Sequence, residues 1–451
     1  EGLTVTYTVG DTPMTDDMTE QEAAIGAFEV EGGSTLWINL VPENADPGLT
    51  TDMYDKVRLG ASIVLKEGST LETTGAYYFT DESSDGIKVM GDATIVNEGS
   101  VGVIYTKFEG TGDAETDKNI TLTFDPGEYD GGTKLTTFAG ESQFGGTIEL
   151  NNRYVLDEDG NRDYSQCNDR YLIEVTDEDA NISDGLAGTN VHLGENVKLG
   201  YNGDTLNVGG LSGDSTSGIY GVDDPGFWEG VEDMDIESKA ADYQYIVITG
   251  DYNSSFSGTI GTEECPLDLE INNGGSQILD GATINGWVYV EEGAITLHNM
   301  EAMDLETLNV SGDSAVNFGK GEYTLDSTAQ NICGYINVLE EGVVTVTDYL
   351  DYATLDTNAG TLILTGDGWF NMEDIVNTGN LCIGNEQTIN GKIGGTVTVL
   401  GTGTLTFEDG ALFTGQLNFD LTGYDIEAHK PQEEGGDWIP LVYLGDGDYS
   451  H

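Results

Sequence analysis

Basic residues are scarce in this sequence. Lys and Arg together number 15 against 82 Asp and Glu, a formal net charge of −67 over 451 residues. Affinity for phosphate backbones and for anionic lipid comes from basic side chains, so composition argues against nucleic acid and membrane surfaces as partners. Three roles remain for such a charge: binding cations, attracting a basic partner, or keeping the chain soluble by self-repulsion. Long apolar runs are absent too. None approaches the roughly 20 residues of a membrane-spanning helix, so direct insertion of this segment into a membrane is not expected. Proline occurs only 8 times, which argues against Pro-rich linkers between modules. The four cysteines, Cys167, Cys265, Cys333 and Cys382, form no Cys-x-x-Cys pair. They are too few and too dispersed for a disulfide scaffold; we read them as small apolar core residues, with a disulfide as the alternative. His192, His298, His429 and His451 lie far apart, without zinc-type spacing. The chain opens at Glu1 with no Met and no charged-then-apolar leader, as expected if a signal peptide has been removed or the segment starts inside a longer product.

What the sequence has in quantity is glycine, 64 residues, together with apolar β-formers that recur from end to end. This pairing favours many tight turns between short strands and argues against disorder. Helical periodicity is confined to Met18 through Phe28, where Glu20, Glu22, Ala23, Ala24 and Ile25 predict one short helix. From about Gly286 to Leu421 a unit recurs: a short apolar strand, a brief turn rich in Gly and acid, then a second strand. Trp287-Val288-Tyr289-Val290, Glu291-Glu292-Gly293 and Ala294-Ile295-Thr296-Leu297 make up one copy; Thr396-Val397-Thr398-Val399, Gly401-Thr402-Gly403 and Thr404-Leu405-Thr406-Phe407 make up another. The markers Val288, Leu308, Ile336, Leu362 and Val397 follow at uneven intervals, the last the longest, which reads as a coil with an irregular period and variable loops. Similar units earlier in the chain, such as Ile87-Lys88-Val89 with Ala93-Thr94-Ile95-Val96, extend the repeat over its whole length.

Alternation of Val, Ile and Leu with Thr, Asn and Glu sends one set of side chains inward and the other to water. The expected fold class is therefore all-β, a parallel β-helix (β-solenoid) with inserted loops. With roughly 20 to 25 residues per rung and a stacking distance of about 4.8 Å, the body is expected to be a rod of order 80 to 100 Å. The competing architecture is a string of antiparallel β-sandwich modules, since an acidic-Gly turn between strands also reads as a hairpin. Uneven spacing and the absence of Cys-Trp-Cys spacing argue against it. The expected organisation is residues 1–265 as solenoid with insertions at 12–27, 43–55, 156–184 and 211–243, residues 266–425 as regular rungs, and 426–451 as a C-terminal cap or linker.

Loops on a rigid scaffold are where binding sites usually lie. In the third insertion, Asp157, Asp159, Asn161 and Asp163 place oxygen-bearing side chains at alternate positions, the pattern with which a turn wraps a hard cation; Ca²⁺ is the candidate cofactor. Gly160 falls at the fourth position, where an EF-hand loop has its glycine at the sixth, so a solvated acidic turn is the competing reading. In the fourth insertion, Tyr220, Phe227 and Trp228 lie in an acidic loop and are candidates for stacking on sugars or on a partner's side chains, against a plain role in covering the coil. Gly213-Asp214-Ser215-Thr216-Ser217-Gly218 is superficially like the surroundings of a serine nucleophile, but no base is placed beside it, and it reads as a turn. Asp223-Asp224 resembles the paired acid of solenoid pectinases without the His-Gly and Arg-x-Lys elements that accompany it. No catalytic residues are assigned.

The segment from Gly403-Thr404-Leu405-Thr406-Phe407 to Gln416-Leu417-Asn418-Phe419-Asp420-Leu421, followed by Trp438-Ile439-Pro440-Leu441, resembles, with the Gly/Asn/Thr-rich rungs before it, the passenger domain of a bacterial autotransporter. The likeness is confined to the C-terminal half and is compositional. In that family such a stretch ends a right-handed coil ahead of a membrane barrel, and the likeness implies a right-handed coil, secretion to the bacterial surface, and adhesion to a host or bacterial surface protein or a glycan. An extracellular adhesin or ligand-binding rod is the leading expectation. The alternatives are a carbohydrate-active β-helix enzyme and an acidic surface-layer structural protein.

Overall fold

The structure, a computed structural model, describes residues 4–8, 21–39, 57–74, 77–79, 86–97, 101–105, 108–128, 135–139, 144–158, 160–164, 167, 169–174, 182–228, 243–300, 307–326, 331–371, 376–389, 391–401, 403–408, 411–422 and 442–444. The insertion expected at 43–55 lies outside them. The described chain is an all-β parallel β-helix, a β-solenoid with inserted segments: strand after strand pairs in parallel with the strand one coil further along. An antiparallel pair is formed by the small hairpin Val155–Leu156 with Arg162–Asp163. The β-sandwich alternative, which needs antiparallel hairpins throughout, is not what this backbone forms. Helix is limited, among the described residues, to two single turns, Ala114–Asp117 and Pro225–Trp228.

The chain divides into two compact units, the first mainly residues 1–270 and the second mainly residues 287–451. Unit 1 holds one long inward column that is followed through the register of successive strands: Leu36, Leu71, Ile95, Phe124, Leu150, Leu193, Gly213, Phe256. The interval between members is uneven, shortest from Leu193 to Gly213 and more than twice as long from Gly213 to Phe256. All but Gly213 are buried, because parallel strands in register place like faces one above the other. Each fully buried aliphatic or aromatic side chain contributes roughly 1.5 to 3 kcal/mol. Where an amide enters this interior it is fully used. Gln277 donates to the carbonyls of Leu211 and Ser254 at 2.8 and 2.9 Å and accepts from the Leu211 N–H at 3.1 Å.

Unit 2 is far more even. Tyr323, Val344, Leu362, Leu381, Val397 and Leu417 follow one another in register at nearly constant intervals. Ile295, Val316, Ile336 and Leu355 form a second column that is just as regular. The irregular period expected for 286–421 is therefore corrected. Val288 and Leu308 belong to one column, Ile336 to another and Leu362 with Val397 to a third, so the expected steps crossed between columns of the coil. Outward side chains of unit 2 form their own ladder. The Asn317 amide donates to Thr296 Oγ1 at 3.0 Å, the Asn337 amide to Asn317 Oδ1 at 2.9 Å, and the Thr357 hydroxyl to Asn337 Oδ1 at 2.6 Å.

Three other expectations meet the backbone here. The helix predicted for 18–28 is instead strand Gln21–Val30, paired in parallel with Val57–Leu65. Ala and Glu favour helix only weakly, and the offered partner strand overrides them. The insertions at 156–184 and 211–243 are shorter than expected, because Arg170–Glu174, Thr205–Gly213 and Gly218–Gly221 are ordinary rung strands. The four cysteines are unpaired thiols; Cys167 and Cys382 are buried, and Cys265 and Cys333 are partly so.

Candidate functional site

Strands Arg170–Glu174, Lys198–Tyr201 and Gly218–Gly221 stack in register, so that Arg170, Lys198 and Gly218 line up, as do Leu172, Gly200 and Tyr220. Strand alternation puts these two rows on the face opposite Tyr171, Leu199 and Ile219. Arg170 and Leu172 are buried on the one face, and Tyr171, Leu199 and Ile219 on the other. The cover comes from the chain just beyond, Val222 to Trp228, which folds back over the row. Leu135, Leu172, Tyr220, Val222 and Phe227 then form a small apolar cluster, with Trp228 packed against it. Gly200 is the seat of this cover: a Cβ there would lie 2.6 Å from Cζ of Phe227, closer than any side-chain carbon tolerates. The Phe227 and Trp228 rings meet edge to face with centroids 4.8 Å apart.

Polar groups hold the cover down. Nε of Arg170 donates to the Phe227 carbonyl at 2.7 Å, and Nζ of Lys198 donates to the Gly226 carbonyl at 2.9 Å while standing 5.4 Å above the Tyr220 ring. Buried Asp224 accepts from the Gly226 N–H at 2.7 Å through one oxygen and from the Thr262 hydroxyl at 2.8 Å through the other. The Trp228 indole N–H donates to the Val222 carbonyl. Burial pushes up the Cys265 thiol and the charges of Asp224, Asp223 and Glu264 push it further, so it stays protonated and is a poor nucleophile. Burial also raises the Tyr220 phenol. Of the three aromatic residues singled out in the sequence, Phe227 presents no surface and Tyr220 almost none. Trp228 is half-buried and is the member a ligand can touch.

The acidic segment is a hairpin. Val155–Leu156 pairs with Arg162–Asp163, and Asp157 caps the turn, accepting the Asn161 N–H at 2.7 Å on one oxygen and the Asn161 amide at 3.1 Å on the other. Asp163 lies opposite Val155, and Asp159 lies outside the described residues. Among the described residues no group of three or more His, Cys, Asp or Glu is placed to hold a metal ion. Asp157 and Asn161 bond to each other across the hairpin turn. At the base of the hairpin, Arg162 reaches Asp125 at 3.2 Å and covers the Tyr154 ring at 4.2 Å.

Beneath it lies the feature that sequence reading missed. Arg153 and Asp169 form a buried pair, with Nη2 at 2.8 Å from Oδ1 and Nε at 3.1 Å from both carboxylate oxygens. Asp169 also accepts the Arg153 N–H at 2.8 Å, and Asn152 bonds the Asp169 N–H at 3.0 Å and the Cys167 carbonyl at 2.6 Å. One signal was available: Arg153, Arg162 and Arg170, in a chain where arginine is rare, fall close together in a strongly acidic stretch. Between the strands ending at Gly213 and beginning at Gly218, residues 214–217 form a turn, with Asp214 accepting the Thr216 N–H and hydroxyl at 2.9 and 2.6 Å. His192 instead meets Ser212 at 3.0 Å. Glu149, in register on its other side, is bonded to Thr123 and Asn151, and among the described residues no carboxylate is bonded to the histidine.

No protein-family model matches the chain, and no curated protein and no solved structure matches it either.

Proposed function

We propose that this chain is an extracellular, surface-displayed adhesin or ligand-binding protein of the autotransporter-passenger kind, which binds a surface protein or glycan through segments inserted between the rungs of unit 1. The observation that carries this reading is the investment of scarce cations in one loop: buried Arg170 and half-buried Lys198 both bond main-chain carbonyls of 226–227. A loop pinned in this way is presented in one conformation, and preorganisation lowers the entropic cost of binding. The acidity supports the same reading, since self-repulsion keeps a displayed protein from aggregating and biases it toward neutral or basic partners.

The test is retention of the labelled full chain on panels of bacterial and animal cells and on a protein and glycan array. We expect specific retention that Trp228→Ala weakens about tenfold, the size of one interfacial aromatic contact, and that Trp228→Phe largely restores. Retention unaffected by Trp228→Ala, and equally unaffected by deleting residues 229–242, removes the loop-based reading. Failure to bind any cell, protein or glycan removes the adhesin.

A further inference from the structure

Unit 2 carries a second surface that is independent of the loop at 220–228. Strands Val288–Val290, Leu308–Val310 and Asn331–Ile332 stack in parallel, with Tyr289 opposite Asn309 and Asn309 opposite Asn331. Val288, Val290, Leu308, Val310 and Ile332 point inward and are buried. The outward row is therefore Tyr289, Asn309, Asn331, spaced by about 4.8 Å per rung, with Trp287 two positions before Tyr289 on the same side. Trp287 is 48% exposed, an unusual position for the largest apolar side chain. Its ring lies within 20° of parallel to that of Tyr289, with centroids 6.4 Å apart.

We infer that this row is a binding site for a neutral polysaccharide strand. The backbone here is paired above and below within the ladder, so only side chains are offered to a ligand, and an added peptide strand has no edge to join. Those side chains are two near-parallel aromatic rings followed by two carboxamides in line. A pyranose matches this arrangement, because its C–H face packs on an aromatic ring while its hydroxyls both donate to and accept from amides. Charge decides the kind of sugar. Exposed Glu291 and Glu292 follow Val290 directly, Glu291 accepting a hydrogen bond from Ser311, and no Lys or Arg lies in these strands. A uronic or sialic acid chain is repelled there, and a neutral one is not.

The experiment is affinity electrophoresis of the full chain through gels containing a soluble β-glucan, a mannan or a galactan, with a lysine-rich peptide as competitor. At least one neutral polysaccharide should retard the wild type. Trp287→Ala should weaken retardation about tenfold and Asn309→Ala about threefold, with little change between about 50 and 500 mM salt because no ion pair is involved. Trp287 is exposed, and an unchanged far-ultraviolet circular dichroism spectrum confirms that each variant folds. Trp228→Ala should leave retardation unchanged. The inference is overturned if no neutral polysaccharide retards the chain, if Trp287→Ala or Asn309→Ala is retarded as strongly as wild type, or if the lysine-rich peptide binds the row in a salt-sensitive way. Cell retention that depends on Trp228 stands or falls separately.

Discussion

The two units are built from the same rung and differ in what lies between strands. In unit 2 the coil returns to the same column at a nearly constant short interval, from Tyr323 to Val344 at the longest and from Leu381 to Val397 at the shortest. In unit 1 the step from Leu193 to Gly213 is followed by one more than twice as long, from Gly213 to Phe256. Both keep a buried inward column. What they share is therefore the register of inward side chains, and what varies is the chain that leaves and rejoins it. Extra residues that leave a rung need their own anchors, and unit 1 supplies them as buried and half-buried polar groups: Arg153 with Asp169, Arg170 and Lys198 with the carbonyls of 226–227, and Asp224 with Thr262. Unit 2 ties neighbouring rungs with short ladders, of Asn and Thr on its outer face and of buried Asn358, Asn377 and Gln387 within.

This contrast is sharpest where an anchor is removed. Asp169→Ala leaves the Arg153 guanidinium buried without its carboxylate and should cost unit 1 about 3 to 5 kcal/mol. Hydrogen exchange should show the loss in peptides around 144–174 and not in those of 307–365. In unit 2 a core truncation is the comparable injury: Leu362→Ala should cost about 2 to 5 kcal/mol, read by chemical denaturation, with the stacked neighbours Val344 and Leu381 losing protection together. Gly200→Ala, which forces Phe227 off its seat, should cost about 1 to 3 kcal/mol and unprotect 222–228 while the rung strands stay protected.

Alkali provides a comparison without mutation. Burial raises the phenols of Tyr171, Tyr201, Tyr220, Tyr245 and Tyr252 in unit 1, Tyr252 to about 12. In unit 2 it raises Tyr323 to about 12. A phenol held neutral in the fold but ionising near 10 when unfolded contributes stability that is complete below pH 10 and disappears as pH climbs toward 12. Unit 1 should loosen first in that window, and ultraviolet absorbance of tyrosinate against exchange rates will show whether it does. The smallest effect is expected from Lys66→Ala. Its partners Glu29 and Glu31 are exposed, and the thermal midpoint should not move measurably.

How far the fold could be read from residues differs between the same regions. At Val288, Ile295, Leu362 and Val397 alternation of apolar and polar residues was enough to identify inward positions, because a strand has a fixed period of two. The period of the coil was not legible from those markers. Strands in different columns have the same local pattern, and only pairing shows that Ile336 sits above Val316 and not above Leu308. The stretch 21–30 was misread as helix because its Ala and Glu residues carry no information about the partner strand at 57–65. At the candidate site, Tyr220, Phe227 and Trp228 were named together from sequence and pack together in the structure, yet sequence could not say which way they face. Asp157 and Asn161 were singled out for their oxygen atoms, but in the hairpin the Asp157 carboxylate accepts from the main-chain N–H and the side-chain amide of Asn161.

The amino-acid sequence by itself determined that the chain is all-β, coiled and acidic, because alternation, glycine-rich turns and charge are local or additive properties. Only the tertiary structure decided which residues stack into one column, that Gly200 makes room for Phe227, and that Arg153 and Asp169 neutralise each other away from water. These are matters of register and of distance between residues far apart in the chain, and they exist only once successive rungs have stacked.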